Sequence, residues 1–124
     1  MRSYFVRIAF ALAIVFPSLS GAAQPFDANA FQKAQAAGKT MLIHVGASWC
    51  ATCRKQQPII HQIERELPEL VVYEVDFDAE KDVLKRLGVR YQTTLIVFRG
   101  EEEIARSVGD TSPSGIRALV ATGL

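Results

Sequence analysis

Cys50 and Cys53, in the run Trp49-Cys50-Ala51-Thr52-Cys53, are the only cysteines of the chain and the residues best placed by type and spacing to do chemistry. A disulfide across so short a loop adds little stability, because the loop-entropy gain grows with loop length. The pair instead suits exchange: one thiolate attacks a partner disulfide, and the other resolves the mixed disulfide that forms. Rival uses of the spacing fit less well. A c-type haem site needs His directly after the second cysteine, where Arg54 stands. A zinc site needs four ligands; there is no second cysteine pair, and His44 and His61 follow no standard ligand spacing. Metal binding or delivery through Cys50, Cys53 and His44 is kept as the second reading. Two inert buried cysteines would leave the spacing unexplained.

The elements that must position the pair can be read from periodicity and punctuation. Phe26–Ala37 reads as a helix with Asp27 as N-cap and Gly38 as its stop. Met41–Val45 is a short apolar run, bounded by Gly38 and Gly46, that reads as a buried strand. From Cys50 to about Leu67 the pattern is helical, with Ile59, Ile60, Ile63 and Leu67 at three- and four-residue steps and Pro58 as an expected kink. Leu70–Phe77 is a second strand, Ala79–Leu87 a helix ended by Gly88, and Leu95–Phe98 a third strand. The turn Arg99-Gly100-Glu101 makes Glu103–Val108 an antiparallel edge strand. Ser112-Pro113 then opens a last helix to about Ala121. This order predicts a mixed central sheet with helices on both faces. Cys50 falls where the second helix begins, and free N–H groups and the helix dipole there favour a thiolate. Cysteines in such places have pKa values lowered into the range of about 3.5–7.5. Cys53, one turn on, shares its helix face, so Cys50 is expected to be the accessible nucleophile and Cys53 the resolving thiol.

Residues 1–23 stand apart. Arg2 and Arg7 precede the unbroken apolar run Ile8–Phe16, Pro17 and Ser18 break it, and Gly21-Ala22-Ala23 offers small residues for cleavage. This is the layout of a secretory signal peptide. The apolar run falls short of the about 20 residues a bilayer span needs. The expectation is a mature domain of residues 24–124 in the periplasm or secreted, without a membrane span, where disulfides can form and persist. The chain has 124 residues and a net charge of +1, and losing Arg2 and Arg7 leaves the rest near neutral. That length allows one domain, and the charge gives no footprint for nucleic acid or an anionic membrane.

The Trp49-Cys50-x-x-Cys53 run after an apolar strand, Pro58 within the same helix, Gly88-Val89-Arg90 leading to the third strand, and Gly109 before the last helix together resemble the thioredoxin family over about residues 26–122. The resemblance implies a thioredoxin-like three-layer α/β/α fold with Cys50 attacking, Cys53 resolving, Trp49 shielding the pair and Gly109 lining the groove for substrate peptide. It also implies a monomer that needs no bound cofactor and works with protein thiols and disulfides and an upstream redox partner.

Four departures from that family carry information. The family's extra N-terminal strand finds no match here, so the central sheet is expected to have four strands. The family's buried Asp and its Lys partner become His44 and Glu74, a pair that could move a proton to or from Cys53. Thr93 takes the place of a cis-proline; a cis bond before Thr would cost about 2.5–4 kcal/mol, so a trans peptide or a strained cis one is expected at Gln92–Thr93. Its N–H and hydroxyl would stand beside the sulfurs, free to bond a thiolate or a substrate backbone. Ala51-Thr52 replaces the usual Gly-Pro, and with no imidazole to stabilise a Cys50 thiolate it points to a reductant or a middling potential. The other polar features read as ordinary surface. His61 falls on the polar side of its helix, Glu101–Glu103 is a solvated turn, and Asp76, Asp78 and Glu80 lack the Gly and closing Glu of a calcium loop.

Overall fold

The computed structural model describes residues 23–124. The expected leader therefore lies, Ala23 apart, outside the described residues. The elements in order are β1 (Gln24–Pro25), α1 (Ala28–Ala36), β2 (Thr40–Gly46), α2 (Ala51–Glu66), β3 (Val71–Asp76), α3 (Lys81–Leu87), β4 (Thr94–Arg99), β5 (Glu102–Val108) and α4 (Pro113–Ala121). The strands lie in the order β1-β3-β2-β4-β5. β1, β3 and β2 run parallel, and β4 and β5 are antiparallel additions.

The sheet has five strands where four are expected. The extra one, β1, is two residues long and pairs Gln24 with Tyr73 and Pro25 with Glu74. Phe26 continues it by donating its N–H to the Glu74 carbonyl at 2.9 Å. Two residues, one of them proline, show no alternation to read, and proline is tolerated because this is an edge.

Local signals set the other boundaries. The Asp27 carboxylate caps α1 by accepting from Ala30 N–H at 2.7 Å, and the Ser112 hydroxyl caps α4 by accepting from Gly115 N–H at 3.1 Å. Gly88 closes α3 in the left-handed region at φ 63°. α3 starts at Lys81, two residues later than expected, because Asp76 holds the chain in a turn first. Its Oδ1 accepts from the N–H groups of Asp78 and Ala79 at 2.8 and 3.0 Å. α2 continues unbroken through Pro58.

Alternation on the strands divides the core into two clusters. Met41, Ile43, Val45, Tyr73, Val75, Ile96 and Phe98 join Phe31 of α1 and Leu84 of α3 on one face. Leu42, Val72, Leu95 and Val97 join Ile60 and Ile63 of α2 and Ile116 and Val120 of α4 on the other. Each large apolar side chain so buried stabilises by about 1.5–3 kcal/mol. The second cluster is where the strand ends change character: Leu42 is followed on the same face by His44, and Val72 by Glu74.

Candidate active site

Cys50 is the N-cap of α2, with extended backbone, and forms a disulfide with Cys53 across a Cα–Cα distance of 5.3 Å. Its Sγ accepts a hydrogen bond from the Cys53 N–H at 3.1 Å. That donor is one of the free N–H groups of the first helical turn, and it points at the sulfur that must carry charge once the bond opens. The expectation of an accessible nucleophile needs correcting for this disulfide state. Cys50 is only 4 % exposed and Cys53 2 %, because the capping role folds the Cys50 sulfur back over the helix start. Trp49 beside it is exposed, and its indole N–H donates to Asp78 Oδ2 at 2.7 Å. An open cavity of about 600 Å³ lies on the other side, and Cys53, Arg54, Gln57, His61, Glu74 and Asp76 are among the residues that line it.

His44 and Glu74 are register partners on the paired strands β2 and β3, and their side chains meet. His44 is fully buried, with Nδ1 2.8 Å from Glu74 Oε2. The carboxylate is badly aligned with Nδ1, so the two groups are in close contact without a straight hydrogen bond. The imidazole edge lies against Gly46: a Cβ built there would be 3.7 Å from His44 Cε1 and 3.8 Å from Cys53 Sγ. His44 and the resolving cysteine therefore flank one glycine. The Glu74 side chain is 31 % exposed and lines the same cavity as Cys53. The family resemblance implies the pairing of His44 with Glu74 but not this division between a buried ring and a partly exposed acid.

The other ring nitrogen, Nε2, lies 2.9 Å from Gln56 Oε1. Gln56 is fully buried on α2, and its amide nitrogen donates to the Asp110 carbonyl at 2.8 Å and to the Thr93 carbonyl at 3.3 Å. Thr93 lies between Val45 of β2 and Gly109 and is hydrogen-bonded to both. Its peptide is trans, as no cis bond occurs among the described residues, and its φ is +66°. The N–H of Thr93 donates to the Val45 carbonyl at 2.7 Å, and its hydroxyl donates to the Gln92 carbonyl. Both polar groups expected to face a thiolate or a substrate are thus partnered within the chain. Proline at this position could neither reach positive φ nor make the bond to Val45. Gly109, exposed and at φ 77°, donates its N–H to the Thr93 carbonyl at 3.2 Å.

Glu64 is a further charged group in the same layer. It lies on α2, is 7 % exposed, and neither carboxyl oxygen has a hydrogen-bond partner. Burial, reinforced by the charge of Glu74 and opposed by that of Arg65, pushes its carboxyl from the ordinary 4.5 to about 7. Gln56 and Glu64 escape the sequence reading as site residues, and Asp78 enters it only as a discounted calcium ligand. Gln56 sits three residues after Cys53 and four before Ile60, on the apolar stripe of α2, and that placement was the available signal. Asp76 and Glu80 spend their carboxylates on backbone N–H groups of the turn before α3. Among the described residues no group of three or more His, Cys, Asp or Glu is placed to hold a metal ion, and no helix is long and apolar enough to cross a membrane.

Comparison with known proteins places this site in a family. The thioredoxin family model matches residues 22–122. Thioredoxin-1 of Saccharomyces cerevisiae is 30% identical over 94 residues, which are 76% of this chain and 90% of that protein. An H-type thioredoxin of Fagopyrum esculentum is 33% identical over 79 residues, 64% of this chain and 68% of that one. Among solved structures, Trxlp from Edwardsiella tarda EIB202 superposes with a TM-score of 0.74 at 35% identity, over 80% of this chain and 98% of its own. With the Cys50–Cys53 pair at the head of α2 and this match over nearly all the described residues, the chain belongs to the thioredoxin family and is a thiol–disulfide oxidoreductase of thioredoxin type.

Proposed function

We propose that this protein is exported and acts chiefly as a reductant of protein disulfides, with Cys50 as nucleophile and Cys53 as resolving thiol. The carrying observation is the Cys50 sulfur at the cap of α2, held by the Cys53 N–H, with Cys53 on the edge of the cavity it shares with Glu74. In the reduced protein the Cys50 thiolate attacks a substrate disulfide, forms a mixed disulfide and expels one substrate thiolate. Cys53 then attacks the Cys50 sulfur. The second substrate thiol leaves, Cys50–Cys53 closes, and two electrons have passed to the substrate. An upstream dithiol partner returns them.

Before Cys53 can attack it must lose its proton, and Glu74 is the group positioned to take it through the cavity. His44 backs that acid from its buried side, with Nδ1 2.8 Å from Glu74 Oε2. Trp49, Thr93 and Gly109 form the surface that receives the substrate chain, with Trp49 steadied by Asp78. The lean towards reduction comes from Ala51-Thr52, which lacks the imidazole that stabilises a reactive thiolate in strong oxidants. The lean towards export comes from the composition of residues 1–23.

Replacing Cys50 by Ser should abolish insulin reduction, and Cys53→Ser should accumulate mixed disulfides with partner proteins. Full activity in Cys50→Ser would overturn the mechanism. A reduction potential near the low end of the family range of about −270 to −120 mV is expected, and one near the high end would reverse the proposed direction. Export predicts a mature N-terminus near Gln24 in the periplasmic or secreted fraction; a cytosolic protein retaining Met1 would refute it. Metal binding by the same pair would show as stoichiometric metal in protein purified without reductant or tags.

A further inference from the structure

The buried amide of Gln56 meets three separate elements. Its Oε1 faces His44 Nε2 on β2 at 2.9 Å, and its nitrogen faces the carbonyls of Thr93, ahead of β4, and Asp110, between β5 and α4. Backbone carbonyls only accept, so the NH₂ must be the end turned to Thr93 and Asp110. The oxygen is then left for His44, and it too only accepts. Nε2 of His44 must therefore carry a hydrogen whatever the charge on the ring. Any proton that His44 gains or loses is exchanged at Nδ1, beside Glu74 and away from Gln56. The other titratable groups around this pair are Cys53 and Glu64 of α2, together with Arg54, His61, Asp76 and Glu80 along the cavity.

The second half of the amide acts on the backbone. The Thr93 carbonyl accepts from both Gln56 and the Gly109 N–H, so the segments before β4 and after β5 are tied through one oxygen. Thr93 holds φ +66°, a conformation that a β-branched residue keeps only when its surroundings over-determine it. Gln56, fully buried one turn beyond Cys53, is part of what does so.

We propose that Gln56 is a positioning residue of the exchange reaction: one buried amide that fixes His44 as the Nε2–H form, so that proton exchange runs through Nδ1 and Glu74, and that pins the Thr93 and Asp110 loops as the walls of the substrate groove. The proposal deepens the reading of Cys50–Cys53 as the exchange centre and rests on it.

Nitrogen-15 spectra of histidine-labelled wild-type protein test the first half directly. His44 should show a protonated Nε2 throughout, with any change of protonation registering at Nδ1. A neutral His44 protonated at Nδ1 and bare at Nε2 overturns the proposal without any variant. Gln56→Leu should release the tautomer preference and raise the KM for a folded protein disulfide about tenfold, the worth of one or two net hydrogen bonds, while the KM for oxidised glutathione stays put. Gln56→Glu separates the halves, because it keeps an acceptor for His44 and loses both donors; it should retain the Nε2–H signal and still raise the KM for the protein substrate. A folded Gln56→Leu protein with wild-type tautomer and wild-type KM values refutes the idea. Failure of the exchange reading itself would look different: Cys50→Ser would remain active while the His44 spectrum stayed as expected.

Discussion

The two faces of the sheet use one alternating pattern to opposite ends. On the α1/α3 face, Met41, Ile43 and Val45 follow one another into a dry cluster in which Phe31 packs edge-on against Tyr73 and Phe98, at ring separations of 5.9 and 5.3 Å. On the α2/α4 face, Leu42 gives way to His44 and Val72 to Glu74, and α2 contributes Gln56 and Glu64 to the same layer. One face therefore supplies stability, and the other gives some of it up to hold titratable groups near a sulfur. Buried polar groups cost free energy unless they are hydrogen-bonded, and this layer holds both cases: Gln56 is satisfied by His44, Thr93 and Asp110, whereas the Glu64 carboxyl has no partner.

This contrast can be broken or sharpened by substitution. The largest effect is expected on the dry face: Phe31→Ala should cost about 3–5 kcal/mol of stability and leave the rate per folded molecule unchanged. Denaturant melts paired with activity assays would check it, and a fall in intrinsic rate would mean the faces are not separable. On the polar face the order inverts. His44→Ala should slow resolution of the mixed disulfide by roughly 10²-fold, the usual worth of a positioned acid–base group, and spare the first attack. Single-turnover rates for the two steps decide it, and equal slowing of both would sink the proton-transfer role.

Glu64→Gln should stabilise the protein at neutral pH by an amount on the order of 1–3 kcal/mol, because it removes a carboxylate charge that burial and the charge of Glu74 disfavour. The sign follows from linkage. The folded carboxyl keeps its proton up to about 7, whereas the unfolded one loses it near 4.5, so native stability falls as pH rises between those values and then levels off. The gain from Gln should accordingly vanish below that window and reach its full size above it; a gain independent of pH would remove the buried-charge explanation. The smallest effect is expected at Thr93. Thr93→Gly relieves the positive φ but adds chain entropy, for a net gain of about 1 kcal/mol or less. A clear loss in denaturant midpoint would show that the threonine side chain matters more than its backbone strain.

The regular parts of the fold are legible because they obey short-range rules. Apolar alternation gives β2, β3 and β4, and Asp27, Gly88 and Ser112 mark helix ends through their caps. The cysteine spacing with Trp49 gives the redox centre, and the family resemblance brings His44 opposite Glu74. What stays hidden is whatever depends on a partner distant in the chain. β1 exists only as an edge on β3, and Gln56 is a polar residue on an amphipathic helix until His44, Thr93 and Asp110 converge on it. Asp78 looks like one more surface acid until it meets the Trp49 indole, and Thr93 gives no local sign that its N–H will be taken by Val45.

Cys50 is both the reacting residue and the residue from which α2 starts, and this bears on how a loss of function can be attributed. Serine is among the preferred N-cap residues, and its oxygen can take the Cys53 N–H that the sulfur now holds. The serine variant therefore carries its own folding control: the start of the helix survives while the nucleophile is gone. Alanine at the same place would entangle the two, since a missing cap costs about 1 kcal/mol on its own account.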